Sequence, residues 1–397
     1  MNIAILIPTL SNGGAERVAQ TIGNHYTKKG ENVYYFLSGK KENIDYPVKG
    51  TIVNTKVEYA WGNNTGIVDF LWHIWCDTCK IRKLKKQYRI DVAISFLETC
   101  NYVNVLSKGR EKVIPRVCST LSKRQHEHPF LFNKRIVHFF YSKADKIIVL
   151  CKYGMRDMQE YYGIARKKMV LIPNGVAPVK EGEKQDVWEY GNKAIICAGR
   201  LTERKQQERI IRAFSYVLER EKSARLLLLG KGENLNYLKR LVATMNMKEN
   251  VHFLGYSSDI EYYLEHGKLF VMASKSEGFP NAMLEAMNYG LPIVSTDCPG
   301  ACKEIIGKCQ QEVVVANMSY AMCKYGILTP MMPLDKPNGN PPLAAEEKVL
   351  GEAMLQILKN DEACRFYQKQ SRKRAKMFQI DDVVKLWDKL IYGGQKS

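Results

Sequence analysis

Residues 268–297 read KLFVMASKSEGFPNAMLEAMNYGLPIVSTD. Two apolar runs, Lys268-LFVMAS and Pro292-IVSTD, enclose a turn at Gly278-Phe279-Pro280-Asn281 and a stretch with helical spacing. Short apolar strands joined through a helix form parallel βαβ units, in which both strand faces are covered. A ligand of such a unit sits beyond the strand C-termini. Glu277 leaves the first strand there, and Glu285 stands about one turn into the helix that begins near Pro280-Asn281.

The same rhythm runs outward along the chain. Asn2-IAILIP, Val33-YYFL, Asp91-VAISF, Lys112-VIPRVCS, Lys146-IIVLC and Lys168-MVLIP read as strands of a first half; Ala194-IICAG, Ala224-RLLLLG and Asn250-VHFLG open a second. Ala15, Val18, Ala19, Ile22 and Tyr26 share one helical face, closed by Gly30. A chain of 397 residues exceeds one ordinary core. The expected fold class is α/β, with two doubly wound, Rossmann-like domains whose facing sheets leave a ligand cleft. Their expected bounds are 1–180 and 181–376, with a linker near 176–192. An amphipathic helix in 377–397, carrying Val383, Val384, Trp387 and Ile391 on one side, is expected to pack back on the first domain. Residues 307–343, rich in Pro, Gly and Met, receive no assignment beyond Gly326-ILTP.

Composition is that of a globular protein, 45% hydrophobic and 25% charged. No stretch approaches the roughly 18 uncharged apolar residues of a membrane span. The opening MNIAILIPTL reads as a buried strand rather than an export signal, because Pro8 interrupts it and no basic lead precedes it. Eleven cysteines without an export signal argue for free thiols in a reducing, cytoplasmic setting and against a disulfide framework. Cys76 and Cys79 form a CxxC, and Cys298, Cys302 and Cys309 cluster loosely. Neither group has a second pair at zinc spacing, so no metal site is expected.

Net charge is +19, of which residues 1–180 carry +15. Such an excess favours phosphates, nucleic acid or an anionic membrane. Within it, residues 61–90 combine three tryptophans with Arg82, Lys83, Lys85, Lys86 and Arg89, and Val68, Leu71, Trp72, Trp75 and Cys79 share a helical face. Two readings fit: a core helix with a solvated basic tail, or an interfacial helix whose cations meet anionic lipid. The charge asymmetry favours the second.

In the second half, Gly199-Arg200-Leu201-Thr202-Glu203-Arg204-Lys205 follows a buried strand and opens a helix. Two cations five residues apart, at such a turn, converge on one polyanion; they also fit plain solvated charges. A carboxylate near a helix N-terminus, as Glu285 is, stays ionised and suits a pair of sugar hydroxyls; the alternative is a cap and a surface glutamate.

Together these residues resemble a family. SEGFPNAMLEAMNYGLPIVSTD, preceded by AGRLTERK, LLLLGKGE and FLGY, with GGAER at 13–17 and IPNGV at 172–176, is similar to the retaining GT-B glycosyltransferases of family 4, in the bacterial branch that builds polysaccharides and lipid-linked oligosaccharides. The resemblance covers nearly the whole chain. It implies transfer of a hexose or N-acetylhexosamine from a nucleotide-sugar, with UDP the expected nucleotide, to a lipid-linked or polysaccharide acceptor. Catalytic roles fall to Arg200 and Lys205, which would hold the diphosphate, and to Glu277 on the donor sugar. Glu285 would hold the ribose. Gly278, Phe279, Pro280, Asn281 and Ala282 would fix sugar and phosphate, Gly255 and Tyr256 would border the base, and Gly14 with Gly13 would admit the donor phosphate or acceptor. No Asp-x-Asp occurs, which suits a metal-independent enzyme needing no cofactor beyond its donor. Many relatives carry a catalytic-side histidine or arginine in the loop after Val113-IPRVCS. Here that loop is Ser119-TLSKRQHEHPF, leaving Arg124, His126 and His128 as open acceptor-side candidates. The expected location is the cytoplasmic face of the plasma membrane, held peripherally by the first domain, with no nucleic-acid partner. Two other readings predict different behaviour: a UDP-sugar epimerase would need no acceptor, and a non-enzymatic basic protein would bind duplex or membrane without binding a nucleotide.

Overall fold

Strand β1 (Asn2–Ile7) suits the interior of a seven-stranded parallel sheet because its five residues after Asn2 are apolar and buried on both faces. The computed structural model describes residues 1–11, 13–38, 47–55, 67–180, 188–257, 259–315, 317–337 and 341–393, with 67–71 as backbone alone. It divides into two compact units, Met1–Asn174 with Asp381–Ser397, and Gly175–Ile380.

In the first unit, α1 (Gly14–Lys28) links β1 to β2 (Asn32–Leu37), and β3 (Thr51–Asn54) extends that side. The helix α2 (Ile67–Gln87) returns the chain to β4 (Val92–Phe96). There follow α3 (Glu98–Leu106), β5 (Lys112–Arg116), α4 (Lys134–Ser142), β6 (Ile147–Val149), α5 (Lys152–Arg156) and β7 (Met169–Leu171). Strand order is β3-β2-β1-β4-β5-β6-β7. The winding direction reverses between β1 and β4, which pair in register Ile3↔Val92. That reversal opens the crevice where doubly wound sheets bind ligands.

The second unit repeats the scheme. Its elements are β8 (Ala194–Ala198), α6 (Gln207–Arg220), β9 (Arg225–Leu229), α7 (Leu235–Thr244), β10 (Val251–Gly255) and α8 (Ile260–His266), then β11 (Leu269–Met272), α9 (Asn281–Tyr289), β12 (Ile293–Thr296) and α10 (Cys302–Ile306). The sheet order β10-β9-β8-β11-β12-β15-β14-β13 places its reversal between β8 and β11. The unassigned stretch supplies the far edge: β13 (Cys309–Val315) and β14 (Met318–Cys323) form an antiparallel hairpin on β15 (Gly326–Thr329). Strand β13 is mostly exposed and reads CQQEVVV, so it lacks the continuous apolar run of a central strand.

The hairpin also corrects the reading of the cysteines. Cys309 and Cys323 face each other across it and form a disulfide, while the other nine cysteines are free. One bridge between neighbouring strands is not a framework, yet the expectation of free thiols fails at this pair.

The chain ends with α11 (Ala345–Lys359) and α12 (Asp361–Ala375) on the second unit, then α13 (Ile380–Tyr392), grouped with the first. Val383, Val384, Trp387 and Ile391 of α13 are buried as one stripe. Lys112 Nζ donates to the Leu390 carbonyl, and Asp388 pairs with Lys29 at 2.7 Å and His25 at 3.2 Å.

On α2 the structure places two of the tryptophans on the outer face of the helix within this unit. Trp72 and Trp75 are 62% and 59% exposed and stack on each other, while Ile74 and Ile81 take the buried side. Trp61 and the side chains of Val68 and Leu71 lie outside the described residues, as do residues 181–187 of the linker.

Candidate active site

The loops after β8, β9, β10 and β11 gather at one edge, because these strands are parallel. After β8 the chain does not enter a helix at once, as the sequence suggested. It passes through Gly199 (φ +148°), Arg200 and the buried Leu201, makes a 3₁₀ turn at Glu203–Lys205, and reaches α6 only after Gln206 in the left-handed region (φ 47°, ψ 42°). A left-handed glutamine costs about 1 kcal/mol. Its Nε2 donates to the Pro333 carbonyl at 2.8 Å, which ties the turn to the segment after β15. That segment is itself strapped to α6: Arg212 donates to the carbonyls of Pro341 and Pro342, and Arg209 and Arg212 both meet the fully buried Glu347 at 2.8 Å. Lys205 is thus the last residue before a fixed corner.

The glycines of LLLLGKGE hold the neighbouring loop against this one. A Cβ on Gly230 would lie 2.0 Å from the Gly199 carbonyl oxygen, and one on Gly232 would lie 2.2 Å from that of Leu201. The backbones bond through Gly199 N–H to Leu229 and Leu201 N–H to Lys231, both at 2.9 Å, and Gly230 N–H reaches Gly255.

Glu277 enters from β11. Its Oε1 accepts from Lys205 Nζ in direct contact and from Ser274 Oγ at 2.6 Å. Its N–H donates to the Pro299 carbonyl at 2.9 Å. Glu277 is 8% exposed and Ser274 2%. Burial alone would raise the Glu277 pKa; Lys205, through charge and hydrogen bond, and the Ser274 hydroxyl outweigh it and hold the carboxyl below its ordinary value. Lys275 N–H donates to the Arg204 carbonyl at 2.8 Å, a further tie between the two loops.

Lys205 and Glu277, 72 residues apart, therefore meet at the reversal of the sheet. Arg200 lies exposed on the same loop as Lys205. Gly278 follows Glu277, Phe279 is buried and packs edge-to-face on Phe378, and Pro280 takes the N-cap of α9 without a side-chain cap. Asn281 and Ala282 open that helix, leaving first-turn amides directed along its axis toward this edge. Glu285 is half-buried on α9. Gly255 (φ +69°) ends β10 and Tyr256 is 44% exposed beside it. Such an edge offers cations and helix amides for a diphosphate and carboxylates for hydroxyls. Ser274 lay within the quoted stretch without a role; its spacing of three from Glu277 at a strand end was the available signal.

Gly14 belongs to the first unit, exposed as the first residue of α1. There the reversal edge carries Leu97, whose φ of 68° is unusual for a branched side chain, and Glu98, 4% exposed. Of the three acceptor-side candidates the structure brings Arg124 to this edge: its Nη1 is 3.7 Å from Glu98 Oε2, and its guanidinium stacks on Phe132. His126 and His128 are exposed. Arg116, at the end of β5, is buried against Cys118 and Asn174, the asparagine of IPNGV. Glu98 and Asn174 went unassigned from sequence.

Comparison with known proteins agrees with this architecture. The family described as "Glycosyltransferase Family 4" matches residues 12–180, and "Glycosyl transferases group 1" matches 180–328. An uncharacterized glycosyltransferase of Methanocaldococcus jannaschii is 30% identical over 341 residues, covering 80% of this chain and 82% of its own. The N-acetylgalactosamine-N,N'-diacetylbacillosaminyl-diphospho-undecaprenol 4-alpha-N-acetylgalactosaminyltransferase of Campylobacter jejuni is 27% identical, covering 77% of this chain and 83% of its own. Among solved structures, Anabaena HepE in complex with UDP and glucose shares the fold at TM-score 0.75 and 17% identity, covering 99% of this chain and 100% of its own. The chain is a glycosyltransferase of the GT-B fold and belongs to glycosyltransferase family 4.

Proposed function

We propose that the chain is a retaining transferase moving a hexose or N-acetylhexosamine from a UDP-sugar to a lipid-linked or polysaccharide acceptor. The observation that carries this reading is the Lys205–Glu277 pair at the reversal of the second sheet. A cation for the departing phosphate and a carboxylate for the sugar stand side by side there, with Arg200 on the same loop. Positive charge at the leaving group stabilises what develops there during transfer. The C1–O bond to UDP breaks as the acceptor oxygen bonds C1 from the same face. The acceptor's proton passes to the departing phosphate oxygen, and UDP leaves. Arg200 and Lys205 carry the charge, with no metal or other cofactor required.

The acceptor class draws support from the Campylobacter relative, whose name specifies a diphospho-undecaprenol acceptor, and the nucleotide from the HepE structure with UDP. On the acceptor side we assign Glu98 and Arg124 of the first unit. A cytoplasmic, peripheral place on an anionic membrane fits the +15 of residues 1–180 and the exposed Trp72–Trp75 pair. Among the described residues no helix is long and apolar enough to cross a membrane.

A thermal-shift panel of nucleotide-sugars tests the donor, since a ligand raises apparent stability by mass action. UDP-sugars should stabilise the chain and release UDP with an undecaprenyl-diphosphate-linked N-acetylhexosamine. Stabilisation by GDP- or ADP-sugars alone would remove the UDP assignment, and product formed without acceptor would favour epimerisation.

A further inference from the structure

We propose that Ser274 is a positioning residue for sugar transfer, its hydroxyl setting the orientation of the Glu277 carboxylate while the Pro299–Gly300 backbone sets where that side chain starts. The inference rests on the reading of Glu277 as the donor-sugar contact.

Two donors converge on one oxygen of Glu277, and they differ in kind. Lys205 is a point charge on a flexible four-carbon stem, which holds a carboxylate near but orients it weakly. Ser274 carries a short, directional O–H two residues past the end of β11, and at 2% exposure it has little room to turn. Ionised Glu277 is acceptor-only, so the hydroxyl donates; its 2.6 Å contact fixes rotation about the last carboxylate bond. Both oxygens of the carboxylate are then placed before any sugar arrives, which removes an ordering cost from the transfer step.

The backbone completes the seat. Glu277 N–H is held by the Pro299 carbonyl, and Gly300, at φ +129°, passes so close that a Cβ there would lie 1.6 Å from the Glu277 carbonyl oxygen. Carboxylate and main chain are thus gripped from two different loops, after β11 and after β12.

The test compares Ser274→Ala, Ser274→Cys and Glu277→Ala with the wild-type chain, using the UDP-sugar that stabilises the wild type most. UDP release is followed across the acid range, and thermal melts verify folding. Ser274→Cys keeps the side-chain shape with a far weaker donor and stands in where the alanine chain is unfolded. The expected result is a fall in kcat of about tenfold, the effect of one hydrogen bond to a charged group. Donor KM should stay within about threefold, since orientation rather than capture is lost. The acid limb of the rate profile should move to higher pH, because the hydroxyl helps hold Glu277 ionised. A purely structural serine would lower the melting temperature without moving that limb. An unmoved acid limb with a wild-type kcat, while Glu277→Ala is inactive, overturns this inference alone. A wild-type chain that releases no UDP from any UDP-sugar overturns the donor reading, and this inference with it.

Discussion

Lys205 and Glu277 come from two strand ends that are neighbours only because the sheet runs β9-β8-β11-β12. Each is the other's partner, so removing either has two consequences. Lys205→Ala leaves a nearly buried carboxylate short of its counter-charge, an effect of about 1–3 kcal/mol on stability. Under the role proposed for Lys205 it also removes support for the departing phosphate, which should lower turnover about 10²–10³-fold. Glu277→Ala should lose activity similarly with a smaller loss of stability. Because the pair acts as a unit, the double variant should be little worse than either single one. Steady-state UDP release and thermal melts measure both quantities; fully additive losses in activity would mean that the two residues act separately.

The pH dependence follows from the direction of the Glu277 shift. Burial opposes ionisation, yet Lys205 and Ser274 depress the folded pKa below the ordinary carboxylate value. A depressed carboxylate contributes stability that is present above its unfolded pKa and is lost as pH falls through the folded one. The stability difference between wild type and Glu277→Gln should therefore be constant near neutrality and shrink on acidification. Urea melts of both chains over that range measure it. A difference that does not change in acid would place Glu277 away from the Lys205 charge.

Gly300 supplies a second, backbone-level prediction. Its φ of +129° is a conformation that L side chains rarely adopt, and the Glu277 carbonyl occupies the space of a Cβ. Gly300→Ala should destabilise by at least about 1–3 kcal/mol from the dihedral strain alone. If the chain stays folded by moving the loop, Glu277 moves with it, and donor-induced stabilisation should fall together with turnover. An alanine variant with wild-type melting temperature and donor response would mean that the loop is free to retreat.

These residues show why parts of the site were legible in the sequence and others were not. The central strands announced themselves because they are covered on both faces, as in IAILI and RLLLL. The edge strands β3 and β13 escaped because TIVN is only half-buried and CQQEVVV is mostly exposed, and neither carries a long apolar run. Lys205 and Glu277 stood out as charges at strand ends, but their contact depends on β8 lying beside β11, which local spacing does not encode. Helical spacing on α2 grouped Trp72 with Trp75 correctly, yet periodicity alone does not say which side of a helix meets solvent. Glu98 was missed because a single glutamate after a strand has no signature until the position of Arg124 is known.

The exposed face of α2 makes the membrane proposal testable. Trp72, Trp75, Cys79, Lys83 and Lys86 fall on one side at helical spacing and all are exposed. Indole rings at the headgroup level with cations alongside describe an interfacial helix. Binding to vesicles containing anionic lipid should weaken about tenfold or more when both tryptophans are replaced by alanine. Lys83→Glu with Lys86→Glu should weaken it too, each cation contributing about 1 kcal/mol near an anionic surface. Added salt should erase the lysine effect and spare the tryptophan effect. Co-sedimentation measures each; vesicle binding unaltered by the double tryptophan change would move the membrane contact elsewhere on the chain.

Glu98 and Arg124 give the acceptor side its own test. Glu98 sits at the reversal of the first sheet, next to the unusual backbone of Leu97, and Arg124 supplies the nearby positive charge. Residues held in sparsely populated backbone regions concentrate at binding sites, where surrounding contacts maintain them. A buried carboxylate at such an edge suits a hydroxyl of the acceptor's terminal sugar. Glu98→Gln keeps the shape and removes the charge, so donor-induced stabilisation should match the wild type. Acceptor KM should rise about tenfold or more, the worth of one charge-assisted hydrogen bond. Arg124→Gln should act in the same direction, and His126→Ala with His128→Ala should change acceptor KM little, since both rings are exposed. Kinetics with the undecaprenyl-diphosphate-linked acceptor separate these cases. An acceptor KM that responds to the histidines and not to Glu98 would transfer the acceptor role from the buried pair to the loop beyond it.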